Sequence, residues 1–207
     1  MQIHIIDDDD DVRDAIVNVV NGANYQAQPW SSAELFIKAN LSDTRPAVII
    51  LDLKMNGMSG LALMDCLAKQ QKVAKRNIQI ILISGYAQAQ DVISGFRKGA
   101  VEFLLKPFAL ADLLSALKRS VASLNASEKN NVLMEKSLKQ FETLTKQEKV
   151  LFWHFSSGKS MVEIANHIPL AMISVKVYKA KIMKKLAFST LYDLYHFAKI
   201  IDPTGKN

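Results

Sequence analysis

Over its first 120 residues the chain alternates short apolar runs with stretches whose apolar positions recur at steps of three and four. That alternation predicts five strand–helix pairs. Residues 3–6 read as a strand, and Val12, Ile16, Val19 and Val20 follow at helical spacing. Residues 25–29 form a short second strand, after which Ser31 or Ser32 caps a helix running to Ala39. Residues 48–53 are almost continuously apolar; a loop through Gly57 and Gly60 leads to a helix carrying Leu61, Leu63, Met64 and Leu67. Residues 78–84 make the fourth strand, 87–98 a helix and 101–105 the fifth strand. Leu110, Leu113, Leu117, Val121 and Leu124 then predict an amphipathic helix with one buried stripe. Strands apolar on both faces, each followed by a helix, point to a five-stranded parallel, doubly wound sheet of the flavodoxin-like kind. This α/β domain is assigned to residues 1–120.

The pattern changes after residue 120. Residues 125–131 are polar and read as a linker or frayed helix, and Leu133, Leu138 and Phe141 carry helical spacing onward. Residues 121–141 are therefore assigned as a helical linker. From residue 142 to 207 only helical periodicity remains, broken at Gly158, near Pro169 and near Ser189, which predicts a small all-α domain.

Charge separates the two parts further. Residues 1–120 carry 13 Lys and Arg against 13 Asp and Glu, whereas residues 121–207 carry 13 Lys against 7 acids. The whole excess of +6 is C-terminal, and Lys176, Lys179, Lys181, Lys184 and Lys185 crowd one segment free of acids. Such a patch suits a polyanion. No apolar run approaches the ~18 residues of a membrane span, and the N-terminus leads straight to a strand and five aspartates rather than to a signal-peptide pattern. The single Cys66 excludes an internal disulfide, and four scattered His do not make a zinc site. The expectation is a soluble, cytoplasmic protein with no membrane partner.

In an open parallel sheet, chemistry gathers outside the carboxyl ends of the strands. Those ends carry Asp7 and Asp8 after the first strand, Asp52 at the third, Ser84 at the fourth and Lys106 at the fifth. Three carboxylates suit a hard cation such as Mg²⁺, which offsets the charge that would repel an anionic phosphoryl donor. Asp52 is then the candidate nucleophile, with Lys106 and Ser84 meeting phosphoryl oxygens. The run Asp7-x-Asp9-x-Asp11 is not an EF-hand loop, because Val12 stands where glycine is required and Asn18 where the bidentate glutamate belongs.

The segments Ile5-Ile6-Asp7-Asp8-Asp9, Leu51-Asp52-Leu53-Lys54-Met55, Gly57-Met58-Ser59-Gly60, Ile83-Ser84-Gly85, Gly99-Ala100-Val101-Glu102-Phe103 and Lys106-Pro107-Phe108 together resemble the receiver domain of bacterial two-component response regulators. The resemblance spans essentially residues 1–120. It implies that Asp52 accepts phosphate from a sensor histidine kinase. It also implies that Asp7, Asp8, Asp52 and the Lys54 carbonyl hold Mg²⁺ (Mn²⁺ as a substitute), and that Ser84 and Phe103 form the switch pair. It places control of phosphoryl lifetime at Lys54 and Tyr86, with bulky Tyr86 hindering water. One departure stands out: Asn56 occupies the place where the family usually has proline after Met55, which predicts a looser loop beside the acceptor.

In the C-terminal part, Thr145 and Glu148 have the spacing of a capping box. Gly158 stops that helix, residues 160–167 form a second, and residues 171–186 a third. At about 100° per residue, Val175, Tyr178, Ile182 and Leu186 of the third helix line a buried stripe. Val177, Ala180 and Lys184 fall opposite, flanked by Lys176 and Lys181, a face suited to a major groove. Lys179 lies near the buried stripe and is expected to serve the domain's edge or a phosphate rather than a base. The run from Leu144 through Ser174-Val175-Lys176-Val177-Tyr178-Lys179-Ala180 to Leu186 resembles the LuxR-type helix-turn-helix of the NarL/FixJ family. The resemblance implies DNA contacts by Ser174, Lys176, Val177, Ala180, Lys181 and Lys184. It departs at Gln147, usually arginine, and at residues 168–173, which lack the usual Ser or Thr cap; that absence predicts a late start to the third helix, with a loss of ~1 kcal/mol.

Taken together these readings predict a two-component response regulator: not an enzyme beyond its own phosphoryl chemistry, phosphorylated at Asp52, dimerising on phosphorylation, binding double-stranded DNA and contacting RNA polymerase. Three alternatives stay open. The C-terminal domain could contact only protein. The receiver could be degenerate, leaving a constitutive DNA-binding regulator. Alternatively the acids could belong to an Asp-nucleophile phosphatase of the haloacid-dehalogenase class, although Asp7-x-Asp9-x-Asp11 lacks that class's final Thr or Val.

Overall fold

A computed structural model describes residues 1–40, 43, 45–69 and 77–204. The chain forms β1 (Gln2–Ile6), α1 (Asp10–Gly22), β2 (Ala27–Trp30), α2 (Ala33–Asn40), β3 (Ala47–Asp52), α3 (Gly60–Lys69), β4 (Ile78–Ser84), α4 (Ala89–Arg97) and β5 (Ala100–Leu105). There follow α5 (Leu110–Glu142), α6 (Lys146–Ser156), α7 (Met161–His167), α8 (Met172–Lys185) and α9 (Leu191–Ile201). Two compact units result, Met1–Ser127 and Glu128–Asn207. The last three residues of the predicted C-terminal domain lie outside the described residues.

All five strands pair in parallel, in the order β2-β1-β3-β4-β5. The period-two geometry of a strand sorts its apolar side chains onto two faces. Ile3, Ile5, Val48, Ile50, Ile81 and Ile83 share one core with α1 and the first half of α5. Ile6, Ile49, Leu51, Ile80 and Leu82 share the other with α2 and α3. This double burial is why the strands read as continuous apolar runs. The order places the switch point between β1 and β3, so Asp7, Asp8 and Asp52 flank the crevice where ligands of such sheets bind.

Several expectations shift in detail. The second strand begins at Ala27 and extends to Trp30, and the fourth helix begins at Ala89 rather than residue 87. Ser32 is the cap of α2, its Oγ accepting from Leu35 N–H. Leu110 is exposed, because it opens α5 before the buried stripe begins at Leu113. The polar stretch 125–131 is not a break: α5 runs unbroken for 33 residues and contains neither glycine nor proline. Val121 and Leu124, within the predicted linker, pack in the first unit's core, while Phe141 packs in the second's.

In the second unit, Leu151, Phe152, Ile164, Val175, Ile182, Leu186, Leu194 and Phe197 form the core. Capping boxes start α6 at Thr145–Glu148, α7 at Ser160–Glu163 and α9 at Thr190–Asp193. Gly158, at φ +83°, closes α6 in a conformation that only glycine adopts freely. The start of α8 has no side-chain cap at Ala171, yet the helix begins at Met172, not late. Burial of Val175 three residues on anchors that first turn without a cap. Among the described residues, no helix is long and apolar enough to cross a membrane.

Candidate functional site

Each side chain of the crevice is delivered by a strand end. The ladder from β3 to β4 continues through Leu53 N–H to the Ile83 carbonyl at 2.9 Å, and Lys106 N–H bonds the Ser84 carbonyl at 2.8 Å. Asp7 N–H donates to the Trp30 carbonyl at 3.1 Å. These bonds fix the chain past the last strand residues, where Asp7, Asp52 and Lys106 project. Gly60 lets α3 start hard against this point, since a Cβ there would lie 2.5 Å from the Asp52 carbonyl oxygen.

At the centre, Lys106 Nζ lies 2.7 Å from Asp7 Oδ2 and 2.7 Å from Asp52 Oδ1. Both acids are almost fully buried. Lys54 N–H donates to Asp52 Oδ2 at 2.7 Å, so each Asp52 oxygen has a donor. Asp7 Oδ1 accepts from Asp9 N–H at 3.0 Å, and Asp9 in turn caps α1 through Val12 N–H. Burial pushes the Asp52 carboxyl above its ordinary range; Lys106 opposes that rise and the neighbouring Asp7 charge adds to it. Burial works against the Lys106 ammonium, but its bonds to Asp52 and Asp7 outweigh burial and raise its pKa. The result is a basic carboxylate oxygen beside a firmly protonated lysine, the polarity that nucleophilic attack on a phosphoryl group requires.

Asp8, expected beside them, is engaged differently. Its Oδ2 accepts from both Asn56 N–H and Asn56 Nδ2, each at 2.8 Å. The loop was expected to be looser for lacking proline; instead the residue that replaces proline ties it to β1's exit. Met58 N–H adds a tie of 2.8 Å to Glu34 Oε1. Neither Asn56 nor Glu34 was assigned a role from sequence; for Asn56 the departure from proline was the available signal. Among the described residues, no three carboxylate, imidazole or thiolate side chains form a ready metal cluster. The donors nevertheless fit a hard divalent cation in kind and charge: all are oxygens, and three carboxylates against one ammonium leave two negative charges uncompensated.

Ser84 is buried, and its hydroxyl donates to the Tyr86 carbonyl at 2.8 Å while accepting from Tyr86 N–H at 3.3 Å. Phe103 pairs with Leu82 across the ladder and packs partly buried against the core that holds Leu82. The exposed Tyr86 ring carries Lys54 Nζ 4.5 Å from its centroid, so the loops after β3 and β4 meet through these two side chains.

In the second unit, α7 and α8 form a helix-turn-helix on one core. On α8, Lys176, Val177, Ala180, Lys181 and Lys184 are exposed, and Ser174 is half-buried. The other two lysines of the cluster have contacts within the unit, Lys179 half-buried and Lys185 exposed. Lys179 Nζ lies 5.9 Å from the Phe155 ring centroid, and Lys185 Nζ lies 2.6 Å from Glu148 Oε2. Lys181 Nζ stands 5.6 Å from the Tyr178 ring. Ile173, 74% exposed in the first turn, was not singled out from sequence and adds an apolar tip to the same helix.

Residues 3–118 match the response regulator receiver domain family, and residues 142–198 match the bacterial regulatory proteins of the luxR family. The transcriptional regulatory protein TdiR of Thauera aromatica is 31% identical over 94% of this chain and 84% of its own length. FixJ of Rhizobium meliloti is 28% identical over 95% and 94%. Among solved structures, the response regulator StyR superposes with a TM-score of 0.75 at 25% identity, covering 96% of this chain and 98% of that one. FixJ-N matches with a TM-score of 0.52 at 30% identity, over 57% of this chain and 91% of that one. With its five-stranded receiver and LuxR-type helix-turn-helix in that order, the chain belongs to the NarL/FixJ-type response regulators.

Proposed function

We propose that this response regulator is switched by phosphorylation of Asp52 by a sensor histidine kinase, and that the phosphorylated form self-associates, binds double-stranded DNA through α8 and engages RNA polymerase. The observation that carries the reading is the Lys106 ammonium bonded to both Asp7 and Asp52 at 2.7 Å in the crevice. An Asp52 oxygen attacks the phosphorus of a phosphoimidazole, the P–N bond breaks, and the imidazole leaves with its electron pair as an acyl phosphate forms. Lys106 passes from the carboxylate oxygen to a phosphoryl oxygen, staying paired throughout. Asp7, Asp8, Asp52 and the Lys54 carbonyl would hold Mg²⁺, or Mn²⁺ in its place, which supplies charge neutralisation for the incoming phosphoryl group. The chain turns over no external substrate in this reading; it is the phosphoacceptor.

Ser84 is bonded to the Tyr86 backbone in the resting arrangement. Drawing its hydroxyl to a phosphoryl oxygen breaks that bond and frees the β4 loop next to Phe103. On the DNA side, the exposed Lys176, Lys181 and Lys184 meet phosphates, while Val177 and Ala180 permit close approach to base edges.

The test incubates the full chain with Mg²⁺ and acetyl phosphate, then measures intact mass, oligomeric state and DNA binding against salt. The expected result is one phosphoryl group on wild type, none on Asp52→Ala, and larger complexes only after phosphorylation. Each of Lys176→Ala, Lys181→Ala and Lys184→Ala lowers the salt slope of DNA binding by about 1. Labelling that survives in Asp52→Ala would overturn the assignment of the acceptor. Equal DNA affinity of wild type and Asp52→Ala under phosphorylating conditions would favour a constitutive regulator.

A further inference from the structure

The loop from β3 to α3 is held by two side chains from elsewhere in the receiver: Glu34, on Met58 N–H, and Asp8, on Asn56. The second tie is chemically unusual. Asn56 places two N–H donors on the same oxygen, Asp8 Oδ2, both at 2.8 Å. A carboxylate oxygen offers about two lone-pair directions, so Oδ2 is fully used and its negative charge is drawn toward the loop. A proline at this position has no N–H and no side-chain amide, so neither bond would exist. The contact therefore depends on the residue at position 56 not being proline.

From this we infer that Asn56 is a built-in competitor for Asp8, a positioning residue that holds back one of the acids on which a divalent cation depends. The inference rests on the proposed reading of the crevice as a Mg²⁺-dependent phosphoacceptor. A cation entering beside Asp7 and Asp52 meets an Asp8 whose Oδ2 is already saturated. It must either take Asp8 through Oδ1 alone or displace both Asn56 donors. Either course weakens binding relative to a free Asp8, and the second releases the loop. Cation occupancy and loop release thereby become one equilibrium, because the same oxygen serves both.

The experiment measures Mg²⁺ binding to the full chain by titration calorimetry at fixed ionic strength, with no phosphoryl donor present. Asn56→Ala removes the side-chain donor and keeps the backbone one; Asn56→Pro removes both. Expected is a Kd about threefold tighter for Asn56→Ala and about tenfold tighter for Asn56→Pro, the modest range fitting charge-assisted bonds in an exposed loop. Glu34→Gln weakens the other tie of the loop without touching Asp8, and it is expected not to tighten Mg²⁺ binding. Unchanged or weaker binding in both Asn56 variants would overturn the inference. So would Glu34→Gln tightening the ion as much as Asn56→Ala, since general loosening of the loop would then be the cause. Failure of the underlying reading looks different: wild type itself would show no Mg²⁺ binding and no acyl phosphate.

Discussion

Asp52 in the receiver and Glu148 in the helix-turn-helix unit are nearly equally buried, at 4% and 3% exposure, and each has a lysine within hydrogen-bond distance. Their acidities nonetheless move in opposite directions. Burial raises both; at Asp52 it prevails, because Lys106 is shared with Asp7 and the second acid's charge opposes ionisation. At Glu148 burial is outweighed by Lys185 and by Thr145, whose N–H donates to Oε2 at 2.7 Å while its hydroxyl accepts from Glu148 N–H. Glu148 closes a capping box and an ion pair at once, with no competing anion in either. The difference separates a carboxylate that has been satisfied from one kept poised. A structural acid is stabilised in its charged form; a reactive one, as the proposed function makes Asp52, is left less stable than it could be.

The contrast is broken or sharpened most strongly by Glu148→Gln. Removing the charge leaves Lys185 without its partner and weakens the cap of α6, a loss of about 2 kcal/mol, below the range for fully buried pairs because Lys185 reaches solvent. The chain's two tryptophans, Trp30 and Trp153, fall one in each unit, so urea unfolding followed by Trp153 in a Trp30→Phe background isolates the effect. The sign with pH is fixed by the lowered pKa. The Glu148 contribution is complete above the unfolded-state pKa and is lost as pH falls through the depressed folded-state value. Wild type should therefore lose stability on acidification more steeply than Glu148→Gln. Parallel curves would show that Glu148 is not the satisfied acid described.

Asp52→Asn should act in the opposite sense and more weakly. With the folded-state pKa raised, ionisation of Asp52 opposes folding, and that penalty grows as pH rises through the unfolded- and then the folded-state value. An uncharged isostere relieves it, giving a receiver that is more stable at neutral pH, with the gain vanishing in acid. Thermal unfolding without divalent ions, followed by Trp30 in a Trp153→Phe background, measures it. A loss of stability like that of Glu148→Gln would mean the two acids are alike and the contrast is empty.

How much of this was legible in the chain follows the range of the interactions. Strands such as β3 and β4 are almost continuously apolar because both faces are covered, a local signal, and the positions of Asp7, Asp52, Ser84 and Lys106 at strand ends follow once the strands are placed. The inner stripe of α8, with Lys179 near it, follows from helical period alone. The helical character of residues 121–141 was expected; that residues 125–131 sit inside one unbroken α5 was not, because their polarity reports contact with water and not a break in the backbone. What stayed hidden depends on tertiary pairing. Asn56 meets an acid 48 positions away and Lys185 one 37 positions away, and no periodicity encodes either partner. The departure from proline at position 56 was visible; that Asn56 would bond Asp8 needed the position of Asp8.

The smallest expected effect concerns how the acyl phosphate of the proposed function would be shielded from water. Cation–π contacts occur in both units, and among the described residues one lies beside Asp52. Lys179 over Phe155 stands at 5.9 Å within the second unit, whereas Lys54 over Tyr86 stands at 4.5 Å and joins the two loops that carry Asp52 and Ser84. Lys54 is also bound through its N–H to Asp52 itself. Tyr86 is largely exposed, so the pair contributes ~0.5–1 kcal/mol, as exposed contacts of this kind do. Loss of the ring should therefore let water reach the acyl phosphate about two- to fivefold faster in Tyr86→Ala. Lys54→Ala should accelerate decay to a similar degree, and the double variant should add little, since each single change already breaks the shared contact. Lys179→Ala, removing the contact in the other unit, should leave the decay rate unchanged. Phosphoaspartate decay after removal of acetyl phosphate reads all four. Fully additive acceleration by the Lys54 and Tyr86 changes would show that the residues shield the phosphoryl group separately, and an unchanged rate in Tyr86→Ala would remove the ring from that role.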